Sequence, residues 1–211
     1  MAIQLARIRA FLNRPGIEGP QQLRGYIPCH RTRGGTINYR GPESGPPEDV
    51  TAMGVSGVTI ATGVDLGQTD ADTLLRGGLE AGITAMLRPY LGLRRDAAIR
   101  KLHARPLTIA PDTAHALDSA MLGIHAGRIS AHYDSFGPAV PFAGLPWQAQ
   151  AAIFSLLYQR GIGASAKAPK TWAALTRGDW RDAAARFCDA SLWDGYRERR
   201  RLEGELLKEI L

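Results

Sequence analysis

The stretch from Ser56 to Gln68 gathers hydroxyl groups, a carboxylate and glycines around a short apolar run. Val58, Thr59 and Ile60 are β-branched and favour an extended strand. Glycines on both sides of Asp65 allow sharp backbone bends. Asp65 therefore follows a strand threonine at a bend, where a carboxylate can hold a water molecule or a polar substrate. An alternative left open by the residues is that Asp65 only caps the next helix, since Asp is favoured there.

A second acidic residue, Glu18, follows a short amphipathic segment near the beginning of the sequence. Leu5, Ile8, Phe11 and Leu12 fall at helical spacing, and a Pro-Gly pair then ends the predicted helix. Glu18 thus lies at a helix end, where partial burial of its carboxyl group would keep a proton available near neutral pH. Taken alone, a glutamate in this position is more often an ordinary surface residue.

These two segments together resemble the pesticin-like branch of the phage-type lysozymes. Residues 17–28 are similar to the Glu-Gly start and the Gly-Tyr-x-Pro continuation of that family. Residues 56–68 are similar to its Ser-Gly-Val-Thr-Ile…Gly-x-Asp-Leu-Gly-Gln signature. In this branch the catalytic residues follow the order Glu, Thr, Asp, so the resemblance implies catalytic roles for Glu18, Thr59 and Asp65.

The resemblance extends to other parts of the chain. Residues 145–161 resemble the core helix of these lysozymes, although Gln159 replaces the asparagine of the usual Tyr-Asn-Arg-Gly ending and receives no catalytic role. Residues between the two motifs look like an insertion, and they contain Glu43 and Glu48 as rival candidates for the acid. The predicted substrate-binding residues are Tyr26, Gln68 and Tyr158.

The implied fold class is mainly α, an α+β lysozyme-like fold with a small irregular or β lobe and a larger all-helical lobe. We expect one domain over residues 1–211, with the small lobe at about 15–68 and the helical lobe at about 69–211, and the helical lobe also includes an N-terminal helix over 3–14. Helical patterns cover 79–87, 94–103 and a segment opening at Pro111, and the most apolar helix covers 147–158. Glycine and proline between His30 and Asp49 predict a mobile loop that helps to hold the glycan, with an ordered excursion as the alternative.

Composition and charge narrow the class of partner. With 26 Lys and Arg against 20 Asp and Glu, the chain is basic, which favours nucleic acid, anionic lipid or bacterial cell wall. The mixed charges of the C-terminal helix predict a solvated face with i,i+4 pairs, and four tryptophans in helical settings predict core packing. We therefore expect a monomer that binds bacterial peptidoglycan, without nucleic acid as a partner and without stable membrane insertion.

Neither a metal nor a cofactor is expected. The five histidines are scattered and have no zinc-ligand spacing, and the two cysteines, Cys29 and Cys188, are expected to remain reduced thiols. As the resemblance implies, the protein would be a peptidoglycan muramidase of the inverting type, with Glu18 as the general acid. Asp65 would activate a water molecule that Thr59 holds. The alternatives are a lytic transglycosylase and a non-catalytic basic wall-binding module.

Two biological settings fit such an enzyme. The N-terminal segment is interrupted by arginines and is not expected to act as a signal peptide. A protein made in the cytoplasm and acting on the periplasmic cell wall would then be a phage endolysin or an antibacterial effector of a contact-dependent system such as type VI secretion. The effector would require an immunity protein in the producing cell.

Overall fold

A computed structural model describes residues 2–193 and 195–211. The chain divides into two compact units. Unit 1 comprises Met1–Gly19 and Leu122–Leu211, and unit 2 comprises Pro20–Met121. These bounds differ from the predicted lobes, because three helices that follow residue 68 belong with the sheet. The single domain over 1–211 stays a prediction.

Unit 2 is built around a small antiparallel sheet. Its strands are β1 Gln22–Arg31, β2 Thr36–Tyr39, β3 Val50–Ala52, β4 Thr59–Ala61 and β5 Val64–Asp65. The strand order is β2-β1-β4-β5, and β3 also pairs with β1. The long strand β1 thus organises the sheet, because every other strand except β5 pairs directly with it.

Unit 2 also contains three helices. They are α2 Ala71–Arg76, α3 Ala81–Leu87 and α4 Arg95–Ala104, and α4 packs against β1 and β3. Asp70 caps the beginning of α2, since its carboxylate accepts a hydrogen bond of 2.7 Å from the backbone N–H of Thr73. A longer helix, α5 Pro111–Asp134, begins in unit 2 and ends in unit 1.

The remaining helices form unit 1. They are α1 Leu5–Leu12, α6 Trp147–Arg160, α7 Ala164–Lys167, α8 Pro169–Arg177, α9 Trp180–Cys188 and α10 Arg197–Lys208. Residues 149–157 of α6 are all buried, which confirms the predicted central helix. Trp172 and Trp193 are buried, while Trp147 and Trp180 pack partly buried against the same core, so the predicted core role of the tryptophans is also confirmed.

This arrangement of elements confirms the predicted fold class, mainly helical and α+β lysozyme-like. Within the described ranges, none of the helices is both long and apolar enough to cross a membrane.

The segment 30–49 differs from the predicted irregular loop. It contains β2, which pairs with β1 from Ile27↔Tyr39 to His30↔Thr36, and two short 3-10 turns. Tyr39 is fully buried, and its hydroxyl lies 2.6 Å from His103 Nδ1. Tyr39 thus anchors part of the segment to α4, as the ordered alternative expects, while the mobility of the segment and its part in holding the glycan stay predictions.

Candidate functional site

Thr59 and Asp65 are brought together by the hairpin of β4 and β5. The register pairs Thr59 with Asp65 and Ile60 with Val64, which leaves residues 61–63 as the turn. Ala61 and Gly63 in this turn have positive φ angles of 53° and 76°. A positive φ is unfavourable for alanine, so the surrounding structure must hold the turn in place.

The clamp on this turn comes from α5. The backbone N–H of Thr62 donates to Asp118 Oδ1 at 2.9 Å, and the Thr62 hydroxyl donates to Asp118 Oδ2 at 2.8 Å. The side-chain amide of Gln21 donates to the same Oδ2 at 2.7 Å. Asp118 is buried and fully engaged, so it fixes the hairpin to the helix.

Three predicted site residues form one row across the sheet. Tyr26 on β1 pairs with Thr59 on β4, and Thr59 pairs with Asp65 on β5. Directly opposite residues of antiparallel strands point to the same face, with Cβ atoms about 4.5–5.5 Å apart. A phenol, a hydroxyl and a carboxylate therefore stand side by side, and the Arg40 guanidinium covers the Tyr26 ring at 5.4 Å.

Backbone donors hold the carboxylate of Asp65. Its Oδ1 accepts hydrogen bonds from the N–H of Gly67 at 2.8 Å and of Gly57 at 3.1 Å, and Oδ2 accepts a longer one of 3.3 Å from Gly57. Burial raises the pKa of Asp65, while these hydrogen bonds and the Arg94 charge act in the lowering direction. The alternative role as a cap is partly correct, since Asp65 caps the 3-10 turn Leu66–Gln68 and not α2.

Glycine is required at both donor positions. A Cβ atom on Gly57 would lie 2.6 Å from the Gly67 Cα and 2.5 Å from the Leu93 carbonyl oxygen. A Cβ on Gly67 would lie 2.5 Å from the same oxygen. The two backbones pass so closely that only glycine leaves both N–H groups aimed at Asp65.

Gln68 lies at the exposed end of this turn. Its side-chain amide donates to the Val55 carbonyl oxygen at 3.1 Å. Its proximity to Asp65 also acts to lower the pKa of that carboxyl group. Arg94 contributes a further contact, since its Nε donates to the Gly67 carbonyl oxygen at 2.8 Å. The motif predicted Gln68, but nothing in the sequence marked Arg94.

Glu18 lies in unit 1, six residues after the last residue of α1. Its backbone N–H donates to the Leu12 carbonyl oxygen at 3.0 Å, which confirms the predicted helix end. The side chain is 19% exposed, and its Oε1 accepts a hydrogen bond of 2.5 Å from Arg199. The partial burial is as expected, whereas the arginine partner is 181 residues away in sequence and was not predicted.

A family model described as "Pesticin: Bacterial toxin homologue of phage lysozyme, C-term" matches residues 42–181. The chain belongs to this family. No curated protein matches the chain. Membership of the Pesticin family confirms the resemblance drawn from the motifs, and it supports a muramidase-type glycoside hydrolase activity in general.

The match to the Pesticin family covers only some of the candidate residues. Thr59, Asp65, Gln68 and Tyr158 lie inside residues 42–181. Glu18 and Tyr26 precede the matched residues, and α10 with Arg199 follows them. The roles predicted for all six candidate residues therefore stay predictions, with Thr59 and Asp65 lying within the matched part.

Tyr158 packs in unit 1 at the end of the buried helix α6. Its ring stacks on Phe154 with the centroids 5.7 Å apart and meets the His125 ring edge-on at 4.9 Å. Burial, together with the charge of Arg128, lowers the pKa of His125 to about 4. His125 is therefore a neutral aromatic partner near neutral pH, and Tyr158 belongs to an aromatic cluster.

The C-terminal helix α10 differs from its predicted solvated face. Its exposed side carries the expected pairs of Arg201 with Glu198 and Glu205. On its other side, Arg199, Arg200 and Glu203 are buried. The expectation was only half correct, because the hidden side of the helix carries charges of both signs that pair with one another inside unit 1.

Arg199 is the centre of this buried group. Its Nε donates to the Ser155 hydroxyl at 3.1 Å and lies 3.4 Å from Glu203, while its Nη2 donates to the Ser155 carbonyl oxygen at 3.0 Å. Arg200 lies 2.8 Å from Glu203 in ion-pair contact without hydrogen-bond alignment, and it also donates to Gln159. Gln159, which departs from the family pattern, thus has a structural partner.

The described part of the chain contains no group of three or more His, Cys, Asp or Glu residues that could hold a metal ion. Cys29 is buried, Cys188 is partly buried, and both are free thiols.

Proposed function

We propose that this protein is a muramidase that hydrolyses the β-1,4 bond between N-acetylmuramic acid and N-acetylglucosamine in bacterial peptidoglycan. The observation that carries the proposal is the cross-strand pairing of Thr59 with Asp65 within the residues that match the Pesticin family. A hydroxyl and a carboxylate on one face of a hairpin can hold one water molecule and accept its proton.

Asp65 is the proposed general base. Burial raises the pKa of this carboxyl group, and a higher pKa makes the carboxylate a better proton acceptor. Its Oδ1 accepts backbone hydrogen bonds of 2.8 and 3.1 Å, whereas the backbone hydrogen bond to Oδ2 is longer, at 3.3 Å, so Oδ2 is the proposed acceptor for the water molecule. Thr59 is the proposed second contact of that water and fixes its direction.

Glu18 is the proposed general acid that protonates the leaving glycosidic oxygen. Its contact with Arg199 orients the carboxyl group, since the guanidinium group is itself held by Ser155. Attack by an activated water molecule on the opposite face of the sugar inverts the anomeric configuration. This chemistry consists of proton transfers and charge stabilisation, for which the side chains suffice.

Mass spectrometry of purified peptidoglycan after digestion tests the reaction. Hydrolysis is expected to leave reducing-end muramic acid, and proton NMR of the first product should show the α-anomer. Anhydro-muramic acid would instead identify a lytic transglycosylase. Binding to the wall without any cleavage would identify a non-catalytic wall-binding module.

The proposed partner is bacterial peptidoglycan, reached in the periplasm by a monomer. The formal net charge of +6 supports attraction to an anionic cell wall. An endolysin would reach the wall through a holin, and an antibacterial effector would be neutralised in the producing cell by an immunity protein. Co-expression with the products of neighbouring genes distinguishes these settings, since only an immunity protein protects a host that carries this enzyme in its periplasm.

Nucleic acid is the alternative anionic partner. A DNA-binding titration at two salt concentrations distinguishes it from the cell wall. Binding to DNA that depends on phosphate contacts weakens steeply as salt increases. We expect no measurable DNA binding at physiological salt, while wall binding persists.

A further inference from the structure

A depression on unit 2 lies between the 3-10 turn Pro47–Asp49, strand β3 and helix α4. Its volume is about 370 Å³, which is within the range of small-molecule pockets. Its apolar wall is formed by Pro47, Val50 and Ile99. Its charged rim is formed by Glu48, Asp96 and Arg100. None of these residues belongs to the proposed catalytic group.

The charges of the rim are unpaired although they are of both signs. Asp96 and Arg100 are four residues apart on α4, a spacing at which acid and base commonly pair on a helix surface. Asp182 and Arg186 do pair at this spacing, at 2.9 Å. Across residues 2–193 and 195–211, no ion pair or hydrogen bond engages the charged side chains of Asp96, Arg100 and Glu48, although the Thr32 hydroxyl donates to the backbone carbonyl oxygen of Glu48.

We propose that this pocket binds a zwitterionic amino-acid group at the end of an aliphatic chain. The ammonium group would contact Asp96 and Glu48, and the carboxylate would contact Arg100, whose planar guanidinium matches a carboxylate in two-point contact. The aliphatic chain would lie against the apolar wall, where Pro47 is partly exposed and Val50 and Ile99 are already buried.

The composition of the rim selects against simpler ligands. A dicarboxylate would face two carboxylates of the pocket, and like charges repel. A diamine would leave the Arg100 guanidinium without a partner and next to a second cation. A ligand that carries both charges on one carbon satisfies all three rim residues at once.

The source of such a ligand rests on the proposed function. Peptide stems of many peptidoglycans contain diaminopimelic acid, whose free end is a zwitterion on a chain of three methylene groups. The pocket would therefore bind the peptide stem of the wall polymer, as a contact separate from the cleaved sugar bond. A free amino acid offers the same chemistry, and the experiment distinguishes the two sources.

Binding is tested with the full chain and three matched compounds, monitored by NMR chemical shifts. They are meso-diaminopimelic acid, pimelic acid, which lacks both amines, and 1,5-diaminopentane, which lacks both carboxylates. We expect saturable binding of meso-diaminopimelic acid alone, with shifts centred on α4 and β3. Absence of binding, or equal binding of all three compounds, would overturn the proposal.

Variants locate the site. An ion pair at an exposed position contributes up to about fivefold in affinity, so Arg100→Gln and Asp96→Asn should each raise the Kd for meso-diaminopimelic acid by about that factor. Lys101→Gln is the matched control, because Lys101 lies on the same helix and does not line the pocket. An equal effect of Lys101→Gln would show a general charge effect and would contradict the assignment.

A digestion experiment distinguishes the peptide stem from a free amino acid as the source of the ligand. It also tests the pocket separately from the proposed hydrolysis. Intact peptidoglycan is compared with glycan strands from which an amidase has removed the peptides. For Arg100→Gln, the ratio of the rate on intact wall to the rate on stripped glycan should fall, through a higher KM on intact wall. An unchanged ratio would exclude the peptide stem. If the wild type cleaves neither polymer, the proposed function fails. The NMR titration then still shows whether the pocket binds meso-diaminopimelic acid.

Discussion

Thr59 and Asp65 stand directly opposite each other on the two strands of one hairpin, so their side chains share a face of the sheet. Their separation along the chain corresponds to a tight turn, and the turn is clamped by Asp118 through Thr62. The hydroxyl and the carboxylate are therefore positioned as one unit, and substitutions at the two positions should interact.

The first prediction concerns this pair. Asp65→Asn should lower the rate of wall hydrolysis by about 10²–10⁴, because an amide cannot accept the proton of a water molecule. Thr59→Ala should cost less, since another water molecule can replace the hydroxyl. The double variant should be no slower than Asp65→Asn alone, because both residues act on the same water. Reducing-end release from purified peptidoglycan measures all three.

An inactive Thr59→Ala beside an active Asp65→Asn would contradict these roles. Folding of each variant is checked by circular dichroism and thermal unfolding. Asp65→Asn keeps an oxygen acceptor for the N–H groups of Gly57 and Gly67, so a folded protein is expected.

The second prediction is a pH dependence of stability. Burial raises the pKa of Asp65 above its ordinary value of 3.8, so the native state holds this proton more tightly than the unfolded chain. The contribution to stability is therefore complete below that ordinary value and is lost as the pH rises through the raised pKa. Asn at position 65 does not titrate.

Thermal unfolding from about pH 3 to neutral pH measures this effect. The Tm of the wild type relative to Asp65→Asn should fall across that window and then level off. A relative Tm that rises with pH would show that the hydrogen bonds of Asp65 outweigh its burial.

Local features of this fold could be predicted from the sequence, because their signals lie within a few residues. The β-branched run before Asp65 formed a strand, the Asp70 cap began a helix, and the apolar run at 147–158 became the buried helix α6. The catalytic candidates came from a motif whose glycines have a definite geometric cause, the close approach of Gly57 and Gly67.

Contacts distant along the chain could not be predicted in this way. Arg199 reaches Glu18 from the last helix, and Asp118 reaches the hairpin turn from 56 residues away. The charged sequence of α10 predicts a solvated helix. Periodicity alone does not show that some of these charges are buried and contact residues of another helix. Segment 30–49 was predicted to be irregular for a similar reason. Its Tyr39 is buried against α4 and contacts His103, which is distant along the chain.

The third prediction tests the acid. Glu18→Gln should abolish wall hydrolysis, because an amide cannot donate a proton as a carboxylic acid does, and general acid catalysis contributes about 10²–10⁴ in rate. The amide oxygen can still accept the hydrogen bond from Arg199, so the fold should persist. Turbidity clearing and product analysis give the rate.

Glu43→Gln is the matched control for Glu18→Gln. Glu43 is an exposed glutamate paired with Arg24 at 2.5 Å, in a segment that offered a rival candidate from sequence. Its substitution should leave the rate near that of the wild type. An inactive Glu43→Gln together with an active Glu18→Gln would move the acid to the 30–49 segment.

The fourth prediction concerns the glycine contact behind Asp65. In Gly67→Ala the new Cβ would lie 2.5 Å from the Leu93 carbonyl oxygen, so the backbone must shift and the 2.8 Å hydrogen bond to Asp65 must lengthen. We expect a loss of about 1–3 kcal/mol in stability and a clear loss of hydrolysis.

Gly82→Ala is the control, because nothing lies within 4 Å of its added Cβ in helix α3, and it should be neutral or slightly stabilising. Equal stability and activity of the two variants would show that the site tolerates a wider spacing.

The fifth prediction concerns the buried charges behind Glu18. Glu203 is fully buried against Arg199 and Arg200, so in Glu203→Gln the Arg200 guanidinium loses its ion pair with this carboxylate and Arg199 loses one of its two acidic partners. Breaking a buried ion pair on one side costs about 3–5 kcal/mol, so urea unfolding should show a loss of that size. Glu205→Gln, on the same helix, removes an exposed partner of Arg201 and should cost less than about 1 kcal/mol. Because Arg199 also contacts Glu18, Glu203→Gln should lower hydrolysis even at a temperature where the variant remains folded. Similar unfolding curves for the two variants would show that unit 1 is stable without this charge balance.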